Sequence, residues 1–231
     1  MKPANAGPAG ALALVRQASI LQGRRAPTGN AVVPVPATST TLHPDSPRVR
    51  NAIRVLAAEL RVHHRPTADH SHRLAALARR VAERMRLGPL CATEVELVAV
   101  LHDVGKLAID RRILEHDGPL DDLQRHVMRR HTIQGEEILV MTAGLEHLGA
   151  VVRATHEWWD GGGYPDGLSG HDIPLEARVV SCADAYDAMV NDRSYRPAFS
   201  PEEACERIER DAGRQFDPVV AAALLEVVGA A

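Results

Sequence analysis

From residue 48 onward, apolar residues recur at the spacing of α-helices. The clearest face has apolar side chains at positions i, i+3, i+4, i+7 and i+11, which is typical of an amphipathic helix. Its members are Leu74, Leu77, Ala78, Val81 and Met85. Further helices are predicted at about residues 120–141, 144–156, 174–191, 201–212 and 217–229. Strand-like alternation is almost absent, so the body of the chain is predicted to be all-α.

Breaks between these helices are marked by glycine, proline and capping residues. The first helix is predicted to end near Gly88-Pro89. Residues 93–96, Thr-Glu-Val-Glu, are predicted to form a capping box that opens the next helix, which runs into His102. Gly105 is expected to bend the chain. The stretch 160–170 contains five glycines and one proline and is predicted to be a loop.

The first 47 residues differ in composition from the rest. They hold seven of the fifteen prolines, with Ala, Gly, Ser and Thr filling much of the remainder. Such a segment buries too little apolar surface to offset its ordering entropy, so residues 1–47 are predicted to be a disordered tail. A short helix over residues 11–21 is possible within it. Residues 48–231 are predicted to form one folded domain.

Composition and charge give predictions about the core, the partners and the location of the protein. Hydrophobic residues make up 45% and aromatic residues 3%, which favours a core of packed helices. The net charge of −3 gives no reason to expect a nucleic-acid partner. Cys91, Cys182 and Cys205 are unpatterned and are interpreted as free thiols of a reducing compartment. No membrane-spanning segment or secretory signal is recognisable, so a cytoplasmic location is predicted.

Histidines and aspartates are spaced along the chain as a metal site would require. His102 and Asp103 are adjacent, so they offer one nitrogen and one oxygen ligand, and a carboxylate can also bridge two ions. Lys106 follows three residues after Asp103, where it can meet a phosphate. The candidate ligands are His70, His102, Asp103, His131, His156 and Asp184. Together they indicate metal-assisted hydrolysis of a phosphate ester.

Each of these residues, taken singly, also has a purely structural interpretation. His70 alone is more often a hydrogen-bonded core histidine, and His131 alone could lie on a solvated helix. Asp184 alone could pair with an arginine. The order of all the motifs along the chain favours the metal centre over these alternatives.

The motifs resemble those of HD-GYP domains, a branch of the HD phosphohydrolase superfamily, over about residues 65–220. They are His70-Ser71-His72-Arg73, His102-Asp103-Val104-Gly105-Lys106, His131 with Gly135, His156 to Pro165, Ala183 to Ala188, Asp192 to Arg196, and Phe216-Asp217-Pro218. The resemblance implies an HD-type helical bundle. It also implies hydrolysis of cyclic di-GMP, a bacterial second messenger, to pGpG or GMP at a centre of iron or manganese.

The resemblance also implies a role for individual residues. The six candidate ligands would hold the metal, with Asp103 and Lys106 acting in catalysis and Lys106 on the scissile phosphate. Arg193 and Arg196 would bind phosphate or guanine, although they could instead form surface ion pairs with Asp187 or Asp192. Gly163, Tyr164 and Pro165 lie in a loop that could be a tight connector. In this family the loop is also implicated in contacts with signalling partners, and Tyr164 is expected to be exposed.

Three departures from the family pattern limit these expectations. Thr155 stands where the family usually has the first of two consecutive histidines. Pro66 replaces the glutamate of the trinuclear subset, so one or two ions are expected rather than three. Residues 109–111 read Ile-Asp-Arg instead of Ile-Pro-Asp. Two other functions therefore stay open: hydrolysis of another nucleotide or phosphoester, and a non-catalytic module that binds a nucleotide or a partner.

Overall fold

The computed structural model describes residues 46–192 and 197–229, and this part of the chain is helical. The helices are α1 Pro47–His63, α2 Arg65–Arg84, α3 Pro89–Leu101, α4 Arg111–Leu114, α5 Asp122–Arg129, α6 His131–Val140, α7 Gly149–Arg153, α8 Leu175–Val190, α9 Pro201–Asp211 and α10 Pro218–Gly229. Short 3-10 turns cover Val104–Ala108, Glu146–Leu148, Ala154–His156 and Gly170–Asp172. No strand occurs in these ranges, which confirms the all-α class.

The helix predicted from the apolar face is confirmed as α2. Its residues Leu74, Ala78 and Val81 are fully buried, and the face packs against α3 and α8. The helix ends just before Arg86 and Gly88, which both have positive φ angles of 56° and 80°. Gly88 supports such a backbone without steric cost. Because α2 carries His70, this packing fixes one side of the candidate site.

The predicted capping box at residues 93–96 is wrong. Helix α3 begins at Pro89, with Gly88 as its N-cap residue, so Thr93 lies inside the helix. Its hydroxyl donates to the carbonyl of Pro89 at 2.9 Å, one turn back along the helix. Proline is favoured in the first turn because its fixed φ suits the helix and its missing N–H is not needed there. Helix α3 ends at Leu101, directly before His102.

The single helix predicted over residues 120–141 is divided into α5 and α6 at Arg130. Side chains that follow the break satisfy the last carbonyls of α5. Nδ1 of His131 donates to the Met128 carbonyl at 2.7 Å, and the Thr132 hydroxyl donates to the Arg129 carbonyl at 3.1 Å. Such local side-chain donors compete with the regular helix pattern. The break places His131 at the start of α6, where it is 2% exposed.

A core of small and branched aliphatic side chains joins the longer helices. Buried residues of α2, α3, α8 and α10 belong to one cluster, with Tyr186 and Phe216 as its aromatic members. Beside this core, the Arg178 guanidinium donates to the Asp217 carboxylate at 2.6 Å, which ties α8 to the start of α10. Among the described helices, none combines the length and the apolar character needed to cross a bilayer.

Other predictions have mixed outcomes. The three cysteines are free thiols, as expected. The helix predicted over residues 144–156 consists of α7 flanked by two 3-10 turns. The disordered tail, the short helix at 11–21 and the two arginines Arg193 and Arg196 lie outside the described residues.

Candidate metal centre

Six side chains predicted as ligands from distant parts of the sequence come together in space. They form two groups of three: His70, His102 and Asp184, and Asp103, His131 and His156. In each group, one ligand atom per residue lies within 4.8 Å of the others. The supporting elements are α2, the end of α3, the following 3-10 turn, α6, the turn Ala154–His156 and α8. The arrangement has the form of a two-part metal centre.

The adjacent residues His102 and Asp103 belong to different groups. His102 is the C-cap residue of α3, and Asp103 precedes the 3-10 turn Val104–Ala108, so the chain changes direction between them. Both are almost completely buried, at 1% and 3% exposed. Nε2 of His102 lies 3.3 Å from Oδ2 of Asp103. The two groups are therefore neighbours across a single peptide unit.

Gly105 allows the turn after Asp103 to pack directly on α6. A Cβ atom on Gly105 would lie 1.8 Å from the carbonyl oxygen of His131 and 2.5 Å from the amide nitrogen of Gly135. Both contacts are backbone atoms, so neither neighbour can move aside cheaply. Gly105 is therefore required for a close backbone contact with α6, and this contact fixes the distance between Asp103 and His131.

In the first group, His70 lies between two carboxylates. Its Nε2 atom is 2.7 Å from Oδ1 of Asp184, and its Nδ1 atom is 2.6 Å from Oδ2 of Asp187. Burial alone would lower the pKa of His70, but the hydrogen bonds to Asp184 and Asp187 outweigh it and raise that pKa to about 9. Both ring nitrogens carry protons in this arrangement. A metal ion at Nε2 would replace one of them.

Asp187 is a site residue that sequence reasoning did not assign. It lies one turn after Asp184 in α8 and is 7% exposed. The amide of Asn191 donates to its other oxygen at 3.1 Å, which holds the carboxylate against His70. A metal-binding histidine commonly donates its second N–H to a carboxylate in this way. In the sequence, the indication of this role is that Asp187 follows Asp184 by one helical turn.

In the second group, two histidines offer unused nitrogen atoms. Nε2 of His131 and Nε2 of His156 are buried and lack a hydrogen-bond partner within the described part of the chain. Burial lowers the pKa of His131 to about 3 and that of His156 to about 4, so both rings are neutral near pH 7. Nδ1 of His131 donates to Met128, leaving the Nε2 lone pair free. A divalent metal fits this donor set.

Lys106 lies against the carboxylate of Asp103, which belongs to the second group. Its Nζ atom donates to Oδ2 of Asp103 at 2.7 Å, and its side chain is 21% exposed. Burial would raise the pKa of Asp103, but His102 and Lys106 outweigh it and hold that pKa well below its usual range. Asp103 is therefore ionised, and Lys106 stands between it and solvent, where an incoming anion would arrive.

The three departures from the family pattern have definite structural roles. Thr155 is 1% exposed, and its hydroxyl donates to the Val152 carbonyl at 2.8 Å. It therefore braces the backbone just before His156. Pro66 is the second residue of α2, in the first turn, where its missing N–H is not needed. Asp110 caps α4 by accepting from the Arg112 amide at 2.9 Å.

The loop that carries Gly163, Tyr164 and Pro165 packs against the metal centre. A Cβ atom on Gly163 would lie 2.3 Å from the amide nitrogen of Trp158. The expectation that Tyr164 is exposed is wrong, because its half-buried ring stacks on His156 with centroids 5.1 Å apart. The amide of Tyr164 donates to the His156 carbonyl at 3.1 Å. Tyr164 thus supports a candidate ligand.

Glu157 fixes the course of the same loop from inside. It is 2% exposed, and its Oε1 atom accepts from the backbone amides of Asp166 and Gly167 at 2.6 and 3.1 Å. Burial raises the pKa of this carboxyl group. Sequence reasoning did not assign Glu157 a function, and its position directly after His156 was the only signal.

The sequence of the chain is similar to those of known proteins. A family model described as HD domain matches residues 54–220. A cyclic di-GMP phosphodiesterase of Thermotoga maritima is 39% identical over 163 residues, which are 70% of this chain and 44% of that protein. A 3'3'-cGAMP-specific phosphodiesterase 2 of Vibrio cholerae is 36% identical over 74% of this chain and 33% of its own length.

Solved structures include the same fold. Bd1817, a HDG"Y"P protein from Bdellovibrio bacteriovorus, superposes with a TM-score of 0.57 at 18% identity, covering 71% of this chain and 52% of that chain. The chain belongs to the HD domain family, in its HD-GYP branch. It spans less than half the length of the two curated relatives named above.

Proposed function

We propose that this chain is a metal-dependent phosphodiesterase that hydrolyses cyclic di-GMP to pGpG or GMP. The observation that carries this proposal is the pair of ligand groups joined through the adjacent residues His102 and Asp103. Two neighbouring divalent ions are the usual means of hydrolysing a phosphodiester by in-line displacement. The similarity to cyclic dinucleotide phosphodiesterases supports the same reaction class.

The six side chains would hold one or two ions, with iron or manganese as the proposed identity. His70, His102 and Asp184 would bind one ion, while Asp103, His131 and His156 would bind the other. When bound, the ions would supply a hydroxide nucleophile near neutral pH and neutralise phosphate charge. Neither Thr155 nor Pro66 is assigned as a ligand, because a neutral threonine hydroxyl is a poor ligand and that of Thr155 is directed at the Val152 carbonyl, while Pro66 has no side-chain ligand atom.

Residues of the chain would then orient and neutralise the substrate. The Lys106 ammonium group would turn from Asp103 to the scissile phosphate, where it balances negative charge that develops on the phosphoryl oxygens. Asp103, held ionised, would be ready to bind an ion as a carboxylate. We further propose that Arg193 and Arg196 bind the nucleotide's phosphate or guanine, since a guanidinium can bind phosphate bidentately and stack on a base.

The experiment is hydrolysis of cyclic di-GMP by protein purified without oxygen and loaded with Mn²⁺ or Fe²⁺. Elemental analysis first gives the metal content, with one to two ions per chain expected. Product formation should depend on metal and be lost in the double variant His102→Ala plus Asp103→Ala. A matched control is Arg125→Gln, a surface change on α5. Product no greater than that of the double variant would refute the proposal.

Two alternatives have specific support. The Vibrio relative named above acts on 3'3'-cGAMP, and together with Thr155 and the altered residues 109–111 it supports another nucleotide or phosphoester as substrate. Faster turnover of 3'3'-cGAMP or of a mononucleotide than of cyclic di-GMP would favour that function. A non-catalytic module, with partner contacts through Gly163, Tyr164 and Pro165, would instead bind a nucleotide tightly with less than about one metal ion per chain.

A further inference from the structure

An exposed arginine lies beside the metal centre and has no role in the function proposed so far. Cζ of Arg129, the last residue of α5, is 5.0 Å from the centroid of the Tyr164 ring. The Tyr164 ring stacks on His156 with an angle of 12° between the planes, and the His156 ring lies 4.9 Å from that of His131. A series of ring contacts therefore leads from the second ligand group to this exposed guanidinium.

The Arg129 guanidinium has no carboxylate partner within residues 46–192 and 197–229. Two other exposed or half-buried arginines nearby are paired: Arg125 lies 2.6 Å from Asp122, and Arg153 is held by Glu136 and Asp166 at 2.9 and 2.6 Å. A guanidinium that rests on an aromatic ring and is not neutralised keeps its donors available for an anion. Because the neighbouring metal centre is proposed to bind a phosphodiester, the anion expected near Arg129 is a phosphate group of the substrate.

We propose that Arg129, supported by the Tyr164 ring, binds the second, non-reacting phosphate of a cyclic dinucleotide. The inference rests on the proposed function, in which the reacting phosphate lies at the ions and Lys106. A cyclic dinucleotide carries two phosphodiester groups in one ring, so the second must lie to one side of the centre. A planar guanidinium fork binds such a group through two hydrogen bonds. Arg129 would thereby favour cyclic dinucleotides over small diesters.

The test compares two substrates in three variants. Cyclic di-GMP has the second phosphate, whereas bis(p-nitrophenyl) phosphate lacks it. In Arg129→Gln, the kcat/KM ratio of cyclic di-GMP to the small diester should fall at least about tenfold, mainly through KM, because the charged hydrogen bonds to the second phosphate are lost. Arg129→Lys should give a smaller fall. Arg125→Gln, which removes the same charge one turn earlier on α5, should leave the ratio within about twofold.

A binding measurement separates this inference from the proposed function. With Mn²⁺ present, the dissociation constant of a hydrolysis-resistant phosphorothioate analogue of cyclic di-GMP should rise about tenfold in Arg129→Gln and stay constant in Arg125→Gln. Equal constants and equal substrate ratios in the two variants would overturn the Arg129 subsite. Wild-type protein that cleaves the small diester but not cyclic di-GMP would overturn the proposed function, and the analogue would still decide the subsite. Wild-type protein that does not bind the analogue would overturn the subsite, whereas the proposed function is decided by product formation.

Discussion

Nδ1 of His70 lies 2.6 Å from Oδ2 of Asp187, a carboxylate 117 positions further along the chain. This contact keeps the Nε2 side of the ring directed at Asp184 and His102. Asp187→Asn preserves the size of the side chain but removes its charge. Metal affinity is expected to fall about 10- to 100-fold, since a carboxylate behind a ligating histidine orients the ring and raises its basicity. Titration calorimetry with Mn²⁺ measures the change.

The matched control for Asp187→Asn is Asp69→Asn. Asp69 precedes His70 and pairs with Arg61 and Arg65 on the surface, so the variant removes a nearby charge without touching the ring. Equal losses of affinity in both variants would show that only the long-range charge matters, and the orienting role would be wrong.

Metal binding is expected to release a proton from His70. His70 has its pKa raised to about 9 and carries protons on both nitrogens at pH 7. A metal ion needs the lone pair of Nε2, so binding at pH 7 should release about one proton from this residue. Calorimetry in buffers of different ionisation enthalpy gives the number released. His70→Gln should release about one proton fewer, and identical values would contradict the assignment.

The same residue predicts how the stability of the metal-free protein depends on pH. The folded-state pKa of His70 lies above its ordinary value of 6.5, so the folded chain binds the proton more tightly than the unfolded chain. Its contribution to stability is complete below pH 6.5, decreases as pH rises, and is lost above about pH 9. Urea unfolding in a chelator between pH 6 and 9.5 tests this, and His70→Gln should show a weaker dependence.

Glycine substitutions should follow the contacts their Cβ atoms would make. Gly105→Ala places a Cβ atom 1.8 Å from the His131 carbonyl oxygen and should cost at least about 3 kcal/mol of unfolding free energy. Gly135→Ala is crowded only by the Val152 side chain at 3.1 Å, a crowding that the higher helix propensity of Ala partly offsets, and should change the unfolding free energy by less than about 1 kcal/mol. Gly229→Ala meets nothing within 4 Å and serves as the control. Urea unfolding measures the free energy of unfolding of each variant. A large loss of stability in Gly229→Ala would contradict the expected order.

Removal of the Glu157 carboxylate should loosen the loop beside His156. Glu157→Ala leaves the backbone amides of Asp166 and Gly167 without their acceptor and should cost roughly 1–3 kcal/mol. Glu157→Gln retains an acceptor oxygen and should restore most of that loss. Thermal unfolding of the two variants measures the difference. Equal stability in both would show that side-chain volume, rather than hydrogen bonding, is what the loop requires.

The sequence predicts the site better than it predicts some helix boundaries. The spacing of Leu74, Ala78 and Val81 predicts α2 correctly, because the helix buries one apolar face and that face repeats with the helical period. Thr93 was misplaced because a Thr-x-x-Glu pattern also arises inside helices, and Pro89 determines the start of α3. The break at Arg130 was missed because it depends on side-chain donation by His131 and Thr132 to nearby carbonyls.

Contacts between distant residues were beyond local pattern reasoning. The six candidate ligands were found because their residue types and order resemble a known family, and the structure brings them together. Asp187 was not assigned, since its partner His70 lies 117 positions away. The exposed position expected for Tyr164 was wrong because its burial depends on stacking with His156, which neighbouring residues do not encode.

The assignment of His102 and Asp103 to different ligand groups has a consequence for variation among related chains. Consecutive Cα atoms are about 3.8 Å apart across a trans peptide, a length that no substitution alters. The spacing between the two halves of the centre is therefore set by covalent geometry at this point. Insertions in surface loops leave this spacing unchanged. One residue inserted between His102 and Asp103 would instead move the two ligand groups apart and disrupt both.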